Sequence, residues 1–312
     1  MPEVLLNPLQ QEVMNALKIP EDWVPLPAKI VTDIEEQLLD ELADLSDWFT
    51  ADQPLRVSKH LLSTIHGCEA HHVAQQAEPF SWNINTVRGT MVHKAVELLL
   101  NWKSEQLPGS IVDSAITSVI NNPRESASGF IASLSEPEVA ELRGAVVGSL
   151  TNFLECFPPL KPQWRPVVEH GARYGVHHDS IVFSARMDLV IGLPGRKVII
   201  DLKTGRITPT HRDDLRFYAL LETLRSRQPP RRLATYSLDA ARLDTEDVSE
   251  GALQAAVRRT SHGVHAMAEL AKNKRSPIKR TGMQCKWCPL LDTCQEGAQF
   301  VRQLSGLDND DL

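Results

Sequence analysis

The fold of this chain is decided by the stretch Ser184-Ala-Arg-Met-Asp188-Leu-Val-Ile191, Gly192-Leu-Pro-Gly-Arg196 and Lys197-Val-Ile-Ile-Asp201-Leu-Lys203-Thr-Gly205. Two runs rich in Val and Ile flank Pro194-Gly195, a pattern typical of a β-hairpin with a two-residue turn. In that register the numbers of directly opposed residues add to 389, so Asp188 lies opposite Asp201. Opposed side chains share one face, about 5 Å apart at Cβ, and Lys203 joins them because side chains alternate along a strand.

This acidic face predicts a cation site. Two carboxylates that close repel each other unless positive charge lies between them, and a hard divalent cation is the obvious occupant. The alternative is that Asp188 and Asp201 are solvated positions on a polar face, with Lys203 as their salt-bridge partner. A hydrophobic strand that ends in Asp, Lys and Gly is nevertheless where α/β folds place their chemistry.

Around the hairpin the chain alternates between helical and extended patterns, which predicts a mixed α/β core with helical additions. Regions rich in Val and Ile and broken by Gly and Pro favour strands. We predict strands at about 164–174, 180–191, 197–202 and 233–238, and helices at about 58–76, 89–103, 136–157, 212–225 and 249–273. The stretch 104–163 is otherwise unassigned.

The segment Val198-Ile-Ile-Asp201-Leu-Lys203-Thr-Gly205, with Asp188 on the preceding strand, resembles the D…(D/E)xK signature of the PD-(D/E)XK nucleases. The upstream run Arg88-Gly89-Thr-Met-Val-His93 resembles the G-xxx-H helix of the RecB-type branch. The resemblance implies a restriction-endonuclease-like mixed sheet core flanked by helices. Downstream, the RecB-type branch usually has a Q-xxx-Y helix. The corresponding run here is Asp214-Leu-Arg-Phe-Tyr218, in which Asp214 replaces the usual Gln.

The resemblance also implies an activity, the hydrolysis of DNA phosphodiester bonds with Mg²⁺ or Mn²⁺. The implied catalytic residues are His93, Asp188, Asp201 and Lys203, and the implied metal ligands are His93, Asp188, Asp201 and the main-chain oxygen of Leu202, with Glu169 a further candidate. An exonuclease acting on single-stranded or duplex DNA ends is expected before an endonuclease, in DNA repair, recombination or the processing of mobile-element or phage DNA, with a helicase or recombination protein as partner. Two alternatives remain open: a non-cutting DNA-binding subunit that supports a helicase or integration complex, and a redox-sensing iron-sulfur protein.

Four of the five cysteines suggest a second metal site. Cys285, Cys288 and Cys294 form a C-x2-C-x5-C cluster, and Cys68 lies far upstream. This pattern is similar to that of iron-sulfur RecB-type nucleases, including the CRISPR-associated four-cysteine exonucleases and the AddB nuclease domain, which implies a [4Fe-4S] cluster that clips the C-terminal region to the N-terminal helical region. The alternative is structural zinc, held by thiolates alone or with His66, His71 or His72. Cys156 is predicted to be a buried thiol.

Basic residues cluster just before and within the cysteine segment. Residues 258–286 contain eight Lys or Arg and one acidic residue, Glu269. Such a run fits a groove that follows a phosphate backbone, although a solvated helix face is the simpler alternative. The predicted DNA contacts are Arg212, Arg216, Tyr218, Lys272, Lys274, Arg275, Lys279, Arg280 and Trp287.

The net charge of -7 over 312 residues is unevenly distributed. Residues 1–52 carry twelve acidic and two basic side chains and repeat apolar residues at helical spacing from Ile34 to Trp48, so we predict an acidic helical accessory arm. Residues 53–307 are then the nuclease domain, including the clip of Cys68 with 285–294, and 308–312 an acidic tail. The composition is that of a globular protein, no apolar run approaches the ~20 residues of a membrane span, and Met1-Pro2-Glu3 begins no secretory signal, so we expect a cytoplasmic protein without a membrane partner.

Overall fold

The computed structural model describes residues 5–102 and 107–310, without the side chains of 307–310. Glu3 of the predicted arm, the side chains of Asp308 and Asp310, and residues 311–312 of the predicted tail lie outside the described parts. The elements follow in the order α1 (Pro8–Leu17), α2 (Lys29–Glu41), β1 (Leu55–Ser58), α3 (Lys59–Gly67), α4 (Glu69–Ala77), α5 (Ile84–Leu100), α6 (Pro108–Ile120), α7 (Ser128–Ser133), α8 (Glu136–Cys156), β2 (Val167–Val176), β3 (Ile181–Ile191), β4 (Val198–Lys203), α9 (Thr210–Ser226), β5 (Arg232–Ser237), β6 (Arg242–Asp247), α10 (Glu250–Ala271) and α11 (Gln295–Asp310).

The strands form a six-stranded mixed sheet in the order β1-β3-β4-β5-β6, with β2 also paired to β3. The β1/β3 and β4/β5 pairs are parallel, whereas β3/β4 and β5/β6 are antiparallel. This mixed sheet, flanked by helices, confirms the predicted α/β fold of the restriction-endonuclease-like type. The short strands β1 and β6 and the helices α1, α6, α7 and α11 were not predicted individually.

The central hairpin has the predicted register. Leu189 pairs with Ile200, and Ile191 with Val198, so each pair of numbers adds to 389. The Arg196 N–H donates to the Leu193 carbonyl oxygen at 2.9 Å, closing a turn over Pro194 and Gly195. Gly195 has φ +73, the left-handed backbone that a type II turn needs at this position.

The described chain divides into two compact units. The first contains Met1–Val31, Ser81–Ala172 and Arg186–Ala252, and the second contains Thr32–Phe80, Arg173–Ala185 and Leu253–Leu312. In the first unit, α5, α6 and α8 bury apolar side chains together with those of β4 and β5, in one core that includes Met91, Leu142 and Ile200. In the second unit the buried side chains include Ile34 and Leu38 of α2, Val57 of β1 and Val257 of α10.

The predicted apolar helix of the acidic segment is present as α2, and Ile34, Leu38 and the following Leu42 are buried. Residues up to Val31 belong to the first unit and those from Thr32 to the second. The assignment of residues 1–52 to an accessory arm therefore stays a prediction. No helix in residues 5–102 or 107–310 combines the length and apolar character that a membrane crossing requires.

The single helix predicted at 58–76 is wrong. Cys68 has φ -163 and ψ 117, an extended backbone that ends α3 and precedes α4. Within the second unit, the Ala70 N–H donates to the Ile278 carbonyl oxygen at 3.3 Å, and the Cys68 N–H still donates to the Thr64 carbonyl oxygen at 3.0 Å. A contact with a segment 208 residues away along the chain thus helps to hold the break, which local helix propensity does not reveal.

Candidate active site and cysteine cavity

Helix α5 carries His93 to the end of β4. The side chain of Asn83 caps the helix by accepting hydrogen bonds from backbone N–H groups of its first turn. Met91 and Ala95 are fully buried in the core that also contains Leu202 of β4. This burial sets the rotation of α5, and the His93 Nε2 donates to the Leu202 carbonyl oxygen at 3.2 Å.

Strand β3 delivers Asp188 to the same point. Its Oδ2 accepts a hydrogen bond from the Leu202 N–H at 2.7 Å, across the hairpin. Its Oδ1 lies 3.3 Å from His93 Nδ1. One carboxylate is therefore held by the neighbouring strand and by the imidazole together, and its orientation is defined by both.

Glu169 completes the group from β2. It has φ +51, a left-handed conformation that costs a non-glycine residue about 1 kcal/mol. Its Oε1 lies 3.5 Å from His93 Nδ1, and its Oε2 forms an ion pair with the guanidinium of Arg186. The strained backbone thus places a carboxylate that the sequence indicated only as a further candidate.

His93 compensates the charge of these carboxylates. Burial lowers the pKa of His93, but the ion pairs and hydrogen bonds with Asp188 and Glu169 outweigh it and raise the pKa to about 10. With Nε2 directed at a carbonyl oxygen, Nδ1 is the ring atom that faces the carboxylates. The arrangement concentrates two negative groups around one point where positive charge is favoured.

The group fits a divalent cation. Ligand atoms of His93, Glu169 and Asp188 all lie within 4.8 Å of one another. Two carboxylate oxygens suit Mg²⁺ or Mn²⁺, and an imidazole nitrogen makes Mn²⁺ more favourable than oxygens alone do. Beside it, His93, Glu169 and Arg186 line an open cavity of about 350 Å³, which leaves room for a substrate group. We call His93, Glu169 and Asp188 the histidine-carboxylate group.

The other predicted ligands lie next to this group. Asp201 is 0 % exposed, and its Oδ2 lies 2.8 Å from Lys203 Nζ, so the structure joins this pair in an ion pair. Asp201 does not belong to the three-residue group within 4.8 Å. The Leu202 carbonyl accepts from His93, and a carbonyl oxygen has a second lone pair for a cation. Their roles as ligands stay predictions.

The predicted DNA contacts on α9 are engaged within the first unit. Arg212 lies 3.0 Å from Asp244, and Arg216 lies 2.6 Å from Glu246, both on β6. Tyr218 is only 3 % exposed, and its hydroxyl donates to the Arg186 carbonyl oxygen at 3.0 Å. This burial corrects the expectation that Tyr218 contacts DNA, because no face of its ring is open to a nucleotide. The two arginines remain predictions.

The structure gathers the four cysteines of the predicted cluster around one small cavity in the second unit. Cys68 and Cys285 are buried, whereas Cys288 and Cys294 are half-buried. Burial, with a further contribution from the other three cysteines, raises the pKa of the Cys288 thiol. We call this feature the cysteine cavity. Cys156 is buried apart from it, as predicted, and burial raises its pKa.

Two features shape the cysteine cavity. A Cβ at Gly297 would lie 3.4 Å from the sulfur of Cys294 and 3.5 Å from that of Cys285, so the glycine leaves space beside both thiols. The buried carboxylate of Glu69 pairs with the guanidinium of Arg275 and accepts from the Ile278 N–H at 2.8 Å. This ion pair joins the start of α4 to the segment before the cysteines, and no sequence motif indicated it.

The remaining predicted DNA contacts surround this region. Lys272 lies over the Phe49 ring at 4.7 Å and Lys274 over the Trp48 ring at 5.6 Å. Arg275 also pairs with Glu269, Lys279 lies 3.3 Å from Glu296, and the Arg280 guanidinium donates to the His66 carbonyl oxygen. Trp287 is 64 % exposed. These side chains are reachable from solvent, and their contact with DNA stays a prediction.

The sequence did not single out Arg186. Its spacing could have identified it: Arg186 lies two residues before Asp188, so both side chains point to one face of β3. Its partner Glu169 lies on a strand that the sequence placed correctly but whose left-handed residue it did not indicate.

A model of the PD-(D/E)XK nuclease superfamily matches residues 56–295 of this chain. Among solved structures, the crystal structure of SSO0001 aligns with 18% identity over 68% of this chain and 97% of that chain, at a TM-score of 0.31. No curated protein matches significantly.

Proposed function

This chain belongs to the PD-(D/E)XK nuclease superfamily, and on that premise we propose that it is a Mg²⁺- or Mn²⁺-dependent deoxyribonuclease. It hydrolyses phosphodiester bonds in DNA and acts as an exonuclease on single-stranded or duplex ends. Its processes are DNA repair and recombination or the processing of mobile-element or phage DNA, with a helicase or recombination protein as partner.

The histidine-carboxylate group is the observation that carries this proposal. His93, Glu169 and Asp188 come from α5, β2 and β3, three elements that no local motif joins, yet their ligand atoms converge within 4.8 Å. Asp201 and Lys203 stand beside them on β4. Such convergence of titratable groups at an open cavity is typical of a catalytic site.

The residues divide the chemistry among them. His93, Glu169 and Asp188 would hold the cation, with Asp201 and the Leu202 carbonyl as further ligands. A bound divalent cation polarises the scissile phosphoryl group and lowers the pKa of a water. Lys203, held by Asp201 at 2.8 Å, offsets negative charge that develops on the phosphoryl oxygens. The Leu202 N–H keeps Asp188 in orientation throughout.

We also propose a [4Fe-4S] cluster in the cysteine cavity, with zinc as the alternative. The four cysteines line one cavity, and Gly297 leaves room beside two sulfurs. Zinc bonds of ~2.3 Å would place thiolate sulfurs about 3.8 Å apart. Within the described residues, no three of these sulfurs lie within 4.8 Å of one another, which favours the larger group. Iron content and visible absorbance of anaerobically purified protein test this, and stoichiometric zinc without iron overturns it.

The activity is tested on end-labelled single- and double-stranded DNA with Mn²⁺ or Mg²⁺. We expect the wild type to shorten both from an end and to leave covalently closed circles intact. Lys203→Ala should lose most of this activity, while Asp113→Asn, an exposed ion-pair partner of Arg143 outside the site, should keep it.

Two results contradict the proposal. If the wild type leaves every DNA intact, the nuclease activity is excluded; if Lys203→Ala cuts as well as the wild type, the cutting does not come from this site. Binding of DNA without cutting would instead support the non-cutting iron-sulfur or zinc subunit. Cutting of closed circles would change the class from exonuclease to endonuclease.

A further inference from the structure

Arg186 is the most exposed member of the site. Its side chain is 71 % exposed, whereas that of its partner Glu169 is 19 % exposed. It lies on the same face of β3 as Asp188 and lines the open cavity beside His93. An ion pair this exposed contributes little stability, so a structural role alone does not account for an arginine at this position.

The backbone below this side chain is held firmly. The buried hydroxyl of Tyr218 donates to the Arg186 carbonyl oxygen at 3.0 Å. The adjoining residues of β3 pair with β4 from Leu189 onward. Arg186 therefore has a backbone held in place and a solvent-exposed guanidinium, the combination required of a side chain that changes partner.

The two carboxylate oxygens of Glu169 face different cationic side chains. Oε1 faces His93 Nδ1 at 3.5 Å, and Oε2 pairs with Arg186. A divalent cation among His93, Glu169 and Asp188 draws on the same carboxylate. Lys94 also lines this cavity and lies 3.0 Å from Glu97 of the same lining, but its side chain is only 21 % exposed.

We propose that Arg186 is a phosphate-binding residue that exchanges partners. It pairs with Glu169 while no metal is bound, and it moves to a non-bridging oxygen of the DNA phosphate when Glu169 becomes a metal ligand. The guanidinium fork suits a phosphate better than an ammonium group does. The inference rests on the proposed function and names the group that receives the substrate phosphate.

The exchange predicts that replacing Arg186 strengthens Mn²⁺ binding but weakens DNA cleavage. Replacing Arg186 frees Glu169, so Mn²⁺ binds more tightly in the absence of DNA, by about 2- to 5-fold, the value of an exposed ion pair. The same replacement removes a phosphate contact, so kcat/KM for DNA falls by ~10²-fold, mainly in kcat. A role confined to holding Glu169 in place predicts weaker Mn²⁺ binding instead.

The test uses the full chain with Arg186→Gln, Arg186→Lys and a matched control, Arg173→Gln. Arg173 is 59 % exposed and pairs with Asp179 at 3.3 Å, so it resembles Arg186 in exposure and partner type. Calorimetry with Mn²⁺ alone should show tighter binding only for Arg186→Gln. Arg186→Lys should restore wild-type Mn²⁺ binding and part of the cleavage.

Unchanged or weaker Mn²⁺ binding in Arg186→Gln overturns the exchange, and unchanged cleavage overturns the phosphate contact. If the wild type binds Mn²⁺ but cuts no DNA, the proposed function fails and fluorescence anisotropy on the intact DNA decides the inference. Arg186→Gln should then weaken DNA binding only when Mn²⁺ is present. Equal weakening with and without Mn²⁺ overturns it.

Discussion

The histidine-carboxylate group of the first unit and the cysteine cavity of the second unit handle charge in different ways. In the first, every charge already has a counter-charge: His93 faces two carboxylates, Arg186 pairs with Glu169, and Lys203 pairs with Asp201. In the second, burial and neighbouring thiols raise the pKa of Cys288, and the Glu69–Arg275 pair joins the segments on either side.

The difference shows how each region would respond to a cation. The histidine-carboxylate group keeps its shape through its own ion pairs, so a cation replaces existing partners there. The thiols of the cysteine cavity, which Lys279 and Arg280 also line, become ligands only as thiolates, so binding a metal changes their own charge. We therefore expect the first region to be formed before it binds metal and the second to be stabilised by its occupant.

The largest expected effect is that of Asp188→Asn, which should change the histidine-carboxylate group and leave the cysteine cavity unchanged. Asp188→Asn removes the charge of a proposed ligand but keeps an oxygen that can accept from the Leu202 N–H, so the fold should survive. Cleavage of end-labelled DNA should fall by ~10³-fold, the scale on which a metal site acts. Iron content and thermal unfolding should match the wild type. A parallel loss of iron would show that the two regions are not independent.

The next effect concerns a buried glutamate of the first unit. Glu222 is fully buried; burial alone would raise its pKa, but His170, Lys197 at 2.5 Å and Arg225 lower it to about 2. Because the pKa is depressed in the folded state, the stabilisation is complete above the ordinary value of 4.5 and is lost as pH falls from 4.5 towards 2.

This loss amounts to about 3 kcal/mol of unfolding free energy. Chemical denaturation between pH 6 and 2.5 measures it. Glu222→Gln should be less stable at pH 6 and should show a flatter pH profile, because the titrating group is gone. A variant profile as steep as that of the wild type would assign the acid sensitivity to other carboxylates.

A buried glutamate of the second unit should show a smaller effect on stability and a clear effect on the cysteine cavity. The Arg275 hydrogen bonds hold the pKa of Glu69 below its usual range. Glu69→Gln should lower unfolding stability by about 1 kcal/mol, since Arg275 is partly exposed, and should speed the loss of iron. Asp44→Asn, which removes an exposed partner of His265 in the same unit, is the control. Equal iron retention in both variants would contradict this link.

The smallest effect concerns Trp287. Its indole is 64 % exposed within the cysteine segment, so a nucleotide base can stack on it. Trp287→Ala should weaken single-stranded DNA binding by about 1 kcal/mol, measured by fluorescence anisotropy. Phe80→Ala, another exposed aromatic of the second unit, should leave binding unchanged. Equal losses in both would indicate nonspecific apolar contact.

Much of the fold could be predicted because its determinants are local. The Pro194-Gly195 turn and the alternation of the flanking strands define by themselves the hairpin register, in which Leu189 pairs with Ile200 and Ile191 with Val198. The apolar spacing of α2, α8 and α9 likewise indicates helices directly. The break at Cys68 was missed because a distant segment at Ile278 helps to hold it.

The site was predicted less completely. Its motifs identified His93, Asp188, Asp201 and Lys203, but Glu169 depends on a left-handed backbone that its residue type does not favour. The burial of Tyr218 belongs to a part of α9 that is buried on nearly all sides, from Leu215 to Leu224. The periodicity of α9 alone could not show which of its residues are exposed and which, like Tyr218, are buried.

The sequence by itself determined the strand register, the helix that carries His93 and the residue types able to bind metal. These follow from steric and hydrophobic preferences that act over a few residues. Only the tertiary structure decided which charges neutralise one another: Arg186 with Glu169, Lys203 with Asp201 and Arg275 with Glu69. Electrostatic pairing depends on distance through space, and Arg275 and Glu69 are 206 residues apart along the chain.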